Sequence, residues 1–269
     1  MKTGIIGYGS MGKMILWKFS EAGALSGEDL FVSNRTFEKL EEASSAAVIC
    51  RNNKELVKNS DIVFLCVRPS DLKDVLCEIK DDLKPGTLLV SLNGSISFDT
   101  LSKIVRQKMA KVIPSVTAEI NRSQTLICFN ELVDARSKEM LTGLLSCMGD
   151  VIELPESEMG MGAELVSCMP GFIASIFDVL CRAAKKHTDI PVSQVVSMVL
   201  NTMSATADLM LRSGMTFEEV VGRVATKGGI TEEGTRVIYE MFPAAADALF
   251  DKTLDKRRII SQNAEKNFS

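Results

Sequence analysis

Thr3-Gly4-Ile5-Ile6-Gly7-Tyr8-Gly9-Ser10-Met11-Gly12-Lys13-Met14-Ile15 decides the fold. Four residues suited to a buried strand run into G-x-G-x-x-G, and the spacing from Met11 to Glu21 is helical. A glycine fingerprint means little by itself, but directly after a strand and at the start of a helix it marks a βαβ dinucleotide site. Gly7 allows the tight turn, Gly9 lets backbone approach a pyrophosphate, and Gly12 lets the helix lie close to the strand. Tyr8, Ser10 and Met11 fill the loop, whose N–H groups and helix N-terminus suit phosphate. The alternative is a glycine turn that binds nothing.

Outward from this loop, short apolar runs alternate with helical stretches. Strands are expected at 3–6, 30–33, 61–67, 87–92, 111–113, 125–129 and 150–154, with a helix at 134–147 before the last. The near-continuous apolar run from Asp61 to Val67 suits a strand buried on both faces. The alternation predicts an α/β Rossmann domain with a mostly parallel, doubly wound sheet over residues 1–156. Beyond Pro155 no strand is expected. Helical periodicity covers 157–187, 192–212, 217–225, 232–241 and 244–265, and Thr216 with Glu219 fits a capping box. Residues 157–269 therefore read as an all-α domain, whose Met- and Ala-rich helices are apolar on more than one face and suit burial against a second copy.

The second strand ends in Ser33-Asn34-Arg35. A site for NAD carries a carboxylate here for the ribose 2′-OH, whereas an arginine with hydroxyl and amide neighbours favours the 2′-phosphate, so NADP(H) is expected. Arg35 reads otherwise as a solvated surface charge. Val67-Arg68-Pro69, Asn93 and Pro114 follow the third, fourth and fifth strands expected in 61–67, 87–92 and 111–113. They fall on the rim where parallel sheets bind ligands, although Val67-Arg68-Pro69 reads equally well as a proline-terminated strand.

In the helical half, Thr226-Lys227-Gly228-Gly229-Ile230-Thr231 lies between helices. Two glycines, bare N–H groups and a hydroxyl capping a helix from Glu232 make a carboxylate site, or an ordinary capped turn. Taken with the glycine loop, Ser33-Asn34-Arg35, Phe64 to Pro69 and Val112-Ile113-Pro114, this motif resembles the pyrroline-5-carboxylate reductase family over nearly the whole chain. The resemblance implies NAD(P)H-dependent reduction of a C=N bond, 1-pyrroline-5-carboxylate giving proline, in a homodimer or higher homo-oligomer. It implies substrate carboxylate binding at Gly228 and Gly229 with Thr226 and Ile230 in the same loop, and Thr231 beside the ring nitrogen as the catalytic residue. The chain departs from the family where Met-Pro-Asn-Thr-Pro is usual (Ile113-Pro114-Ser115-Val116-Thr117 here), where Ser-Gly-x-Gly-Pro-Ala-Tyr is usual (Val166 to Phe172 here), and at Lys227 and Ile230. These variants resemble a divergent branch, the late-competence-protein-like members. A non-catalytic or differently specific NADP-binding relative is the alternative.

Composition excludes other classes. The net charge of −4 gives no reason to expect nucleic acid or a membrane surface. The apolar stretch from Cys168 to Cys181, broken by Asp178, reads as too short to span a bilayer, which takes about 18 or more apolar residues. Seven cysteines without a C-x-x-C pair fit free thiols in a reducing cytoplasm. One histidine, His187, at a charged helix end, leaves little for His-dependent hydrolysis or a His-ligated metal, and no metal is expected. The helix after the sheet lacks the lysine that a 3-hydroxyacid dehydrogenase carries in Met161 to Ser167.

Overall fold

The computed structural model describes residues 1–268. Its sheet has eight strands: β1 (Thr3–Ile6), β2 (Leu30–Ser33), β3 (Val48–Ile49), β4 (Ile62–Leu65), β5 (Leu88–Ser91), β6 (Lys108–Ile113), β7 (Ser123–Phe129) and β8 (Gly149–Glu153). They lie in the order β3-β2-β1-β4-β5-β6-β7-β8, and every neighbouring pair is parallel except β6 with β7. The expected α/β class is thus what the chain adopts. Helices α1 (Ser10–Glu21), α2 (Asn53–Asn59), α3 (Pro69–Ile79), α4 (Phe98–Ser102) and α5 (Ala135–Leu145) accompany the strands.

Alternation along the strands explains the two cores. Ile5 and Phe64 face one side, where Phe19 of α1 meets Phe64 edge-on at 5.5 Å. Ile6, Val63 and Leu65 face the other, against Leu72 and Leu76 of α3. Local capping fixes the helix starts: Asn52 accepts from the Glu55 N–H, Ser97 from Thr100, and Asp134 from Ser137.

β6 starts three residues earlier than expected because Lys111, a residue that reads as a strand boundary, is buried inside it at 2% exposure. Its ammonium pairs with Glu156 and lies 4.8 Å from the centroid of the Phe98 ring. The Phe98 N–H donates to the same Glu156 oxygen at 2.9 Å. A buried cation is tolerable only with such compensation. β3 went unforeseen: two residues, one of them 41% exposed, leave no periodic signal.

After β8 a helical run extends from Glu156 to Lys185. It contains α6 (Met159–Ala163), a π-helical turn (Glu164–Cys168) and α7 (Met169–Lys185). Contrary to the sequence expectation, this run is long and apolar enough to cross a bilayer: 30 residues, with an 18-residue window of mean hydropathy 1.6. The single Asp178 does not interrupt a helix that continues on both sides of it.

The chain divides into two compact units, Met1–Pro170 with Leu254–Ser269, and Gly171–Thr253. The second contains most of α7, α8 (Val192–Ser213), α9 (Phe217–Val224) and the first part of α10 (Ile230–Phe268). Thr216 and Glu219 form the expected capping box. The expected break near Pro243 is absent: α10 runs through it. Proline costs that helix one hydrogen bond, to the Tyr239 carbonyl, and both residues are exposed, so water can serve the freed oxygen. Within this second unit Val195 alone among hydrophobic residues is buried, whereas Val179, Leu211, Phe217 and Ile230 are more than half exposed.

Candidate functional site

The end of β1 delivers Gly7 at φ 98°, a conformation open to glycine. Its N–H donates to the Ser33 carbonyl at 2.9 Å, and a Cβ there would meet the Cys66 carbonyl oxygen at 2.5 Å. At Gly12, inside α1, a Cβ would meet the Gly7 carbonyl oxygen at 2.0 Å, so helix and loop touch only because no side chain intervenes. Nothing lies within 4 Å of the Cβ position at Gly9. Gly9 is the N-cap of α1, with no side-chain cap and no acid in the first turn, so the helix N-terminus is left for a ligand's negative charge.

A cleft of about 560 Å³ opens over this loop. Gly7, Tyr8, Gly9, Ser33, Asn34, Arg35, Val67 and Arg68 line it. Asn34 fixes its shape: Oδ1 accepts the Tyr8 N–H at 3.0 Å, and Nδ2 donates to the Thr36 carbonyl at 2.9 Å. Ser33 serves differently from the sequence expectation. It is 1% exposed and its hydroxyl donates to Asn53 Oδ1, so it orders the wall rather than offering a donor to a phosphate. Asn53 passes the order on to Glu78 at 2.8 Å.

Sequence reasoning missed Lys39 and Arg51, which line the cleft with Arg35. Arg51 stands just beyond β3, and the signal for it was hidden with that strand. Asp71, Asp74 and Glu78 of α3 line the cleft as well. Cys66 also lines the cleft, and burial pushes its thiol up to about 12.

Val67 is shared with a second cavity of about 270 Å³ at the carboxyl ends of β4, β5 and β6. Pro69 and Asn93 line it, as do Ile113, Ser167 and Arg257. Of the remaining candidates, Ser10 and Met11 sit exposed on the first turn of α1, and Pro114 is buried just after β6; none of the three lines either cavity.

Thr226, Gly228, Gly229, Ile230 and Thr231 belong to the second unit. There the Gly228 N–H donates to the Glu232 carboxylate at 2.6 Å and the Gly229 N–H to the Thr226 carbonyl at 2.8 Å. The sequence suggested bare N–H groups here, and neither glycine N–H is bare. Nor does Thr231 cap a helix from Glu232: α10 begins at Ile230 and Thr231 lies in its first turn.

Comparison with known proteins extends this geometry. A family described as NADP oxidoreductase coenzyme F420-dependent matches residues 2–94, and one described as pyrroline-5-carboxylate reductase dimerisation matches residues 156–259. Pyrroline-5-carboxylate reductase 3 of Bacillus subtilis (strain 168) is 29% identical over 98% of both chains. Residues 156–259 thus carry a domain of the pyrroline-5-carboxylate reductase type, and the chain is similar to that family over nearly its whole length. ComE operon protein 4 of the same organism is 24% identical over 88% of both chains, in keeping with a divergent branch. A pyrroline carboxylate reductase of Plasmodium falciparum, solved with NADP bound, shares the fold at a TM-score of 0.84 and 20% identity, covering 100% of this chain and 98% of that one. The glycine loop falls inside the first family match and the Gly228-Gly229 loop inside the second, which opens at Glu156, the partner of buried Lys111.

Proposed function

We propose that this chain is a divergent member of the pyrroline-5-carboxylate reductase family and an NADPH-dependent reductase of a cyclic imine carboxylate, 1-pyrroline-5-carboxylate giving proline. One observation carries the cofactor: the end of β2 presents Arg35, joined in the cleft by Arg51 and Lys39, with no carboxylate on that strand end. Three cations at the ribose end suit a 2′-phosphate. The dinucleotide fits the cleft on two further counts. Gly9 leaves open space where a pyrophosphate would come close, and Asn93 has a buried amide donor without an acceptor at the far end.

The bound nicotinamide would supply the hydride. The chain's own tasks are alignment and exclusion of water, because a protonated imine needs little acid–base help from the protein. We assign substrate binding to Gly228, Gly229, Thr226 and Ile230, and a hydrogen bond to the ring nitrogen to Thr231. The second unit, with Val195 its one buried hydrophobic residue, requires a partner surface, and we assign a homodimer to it. Free thiols and a net negative charge suit the cytoplasm.

One observation favours a second reading, a relative that binds NADP without turnover: both glycine N–H groups of the substrate loop are already bonded within the chain. Purified protein with NADPH and 1-pyrroline-5-carboxylate, followed by loss of nicotinamide absorbance, decides between them. Consumption of NADPH supports the reductase; tight NADPH binding without consumption supports the second reading.

A further inference from the structure

The second cavity carries more chemistry than a passive rim. Asn93 is 7% exposed. Its backbone N–H is bonded to Ser91 Oγ, and its Oδ1 accepts the Ser95 N–H at 3.3 Å, which fixes the amide and leaves Nδ2 buried without a partner. A buried donor of this kind costs stability unless a ligand answers it.

Across the same cavity stands Arg257 of α10. Its Nε and Nη2 both donate to one oxygen of Glu164, at 3.0 and 2.7 Å, with Cys168 Sγ at 3.9 Å from Nη2. Among the described residues Nη1 makes no hydrogen bond. Glu164 is 1% exposed and sits in the π-helical turn, a widened turn of the kind found at functional sites. Its second oxygen makes no hydrogen bond.

We propose that Asn93 and Arg257 together hold the carboxamide oxygen of the nicotinamide, and that Glu164 makes this end of the cleft selective for a neutral group. The inference rests on the NADP(H) reading above. Two donor-bearing side chains that line one cavity call for an acceptor. The charge balance decides which: the Arg257 charge is already compensated by a buried carboxylate with an unshared oxygen, so a ligand carboxylate would add an anion beside an anion. A carboxamide oxygen accepts from both donors and carries no charge. Asn93 and Arg257 act here as positioning residues that set the ring's orientation.

The test uses full-length protein and calorimetric binding of three probes: NADP+, its nicotinic acid analogue in which a carboxylate replaces the carboxamide, and 2′-phospho-ADP-ribose, which lacks the ring. Wild type should prefer NADP+ over the carboxylate analogue. Asn93→Ala should weaken NADP+ roughly three- to tenfold, the worth of one hydrogen bond, and leave 2′-phospho-ADP-ribose within about twofold. Glu164→Gln should move the preference toward the carboxylate analogue by about tenfold, since Arg257 then keeps its charge. An Asn93→Ala variant that binds all three probes as wild type does, or that weakens NADP+ and 2′-phospho-ADP-ribose alike, overturns the proposal, as does a Glu164→Gln variant with an unchanged preference. Wild-type protein that fails to bind 2′-phospho-ADP-ribose overturns the NADP(H) reading itself. Thermal melting of each variant separates loss of binding from loss of fold, and Asn93→Ala stands by itself if Glu164→Gln does not fold.

Discussion

The side-chain oxygen of Asn34, at the end of β2, accepts the backbone N–H of Tyr8 in the glycine loop at 3.0 Å. Two adjacent strand ends are thereby tied into one surface, and Arg35 is carried on it. Arg35→Asp should cost NADPH roughly 1.5–3 kcal/mol of binding, the worth of a charge-assisted contact, and leave NADH nearly unaffected. Asn34→Asp keeps an acceptor for Tyr8 but adds a negative charge, so it should weaken NADPH more than NADH. Calorimetry with both cofactors reads the ratio; equal losses for the two would remove the 2′-phosphate from this wall.

Gly9 and Gly12 should respond oppositely to the same methyl group. Gly9→Ala meets nothing in the free protein and should fold with an unchanged melting temperature, yet lose dinucleotide binding by tenfold or so because the methyl stands in the phosphate's space. Gly12→Ala drives a Cβ to 2.0 Å from a backbone oxygen and should cost about 1–3 kcal/mol of stability or more. Melting curves and binding isotherms of both variants check the contrast.

How far this was legible follows from where each signal lies. The glycine loop and the bounds of β1 and β2 rest on neighbours in sequence, and the chain announces them. Arg51 was invisible because β3 is two residues long. Lys111 reads as a boundary because its compensating partner, Glu156, stands 45 residues away. The π-helical turn has no periodic signature in the apolar run 164–168, so Glu164 could not be told from a solvated residue. Glu232, whose side chain takes the Gly228 N–H, reads only as an acidic residue in a helix's first turn.

The Lys111–Glu156 pair should be asymmetric to mutation. Glu156→Ala strands a buried cation and should destabilise by about 3 kcal/mol, less whatever water recovers at the partly exposed site. Lys111→Met strands only a carboxylate that is 38% exposed, and should be nearly neutral. Urea denaturation of the two single variants measures this; equal losses would mean that the pair's attraction, not burial of the lysine, sets the cost.

Alkaline pH should unfold the protein through its thiols. Burial pushes Cys50 and Cys128 up to about 11 and Cys66 to about 12. An unfolded thiol ionises near about 8.5. Each raised group therefore contributes stability that is fully present below about pH 8.5 and is lost as pH rises toward 11–12. Cys66→Ala should flatten the fall in melting temperature across that window relative to wild type. The same burial predicts that exposed Cys77 reacts first with a thiol reagent at neutral pH.

Freeing the Gly228-Gly229 loop should be possible with one change. Glu232→Ala removes the carboxylate from the Gly228 N–H and should raise affinity for a carboxylate ligand such as proline severalfold, the worth of one hydrogen bond to a charged group. Thr231→Ala should lower turnover by about tenfold or more without changing NADPH affinity, and Thr231→Ser should retain most of it. Weaker proline binding in Glu232→Ala would mean that Glu232 shapes the loop rather than competing for it.

α10 returns its last residues to the first unit, where Ala264 and Phe268 are buried with Met159 and Ala163 in the core beneath the sheet. The first unit is thus discontinuous in sequence, with the whole of the second inserted between its two parts. One face of the sheet is sealed only when residues on either side of that insertion meet, so the first unit bears the entropic cost of closing a loop as long as its neighbour.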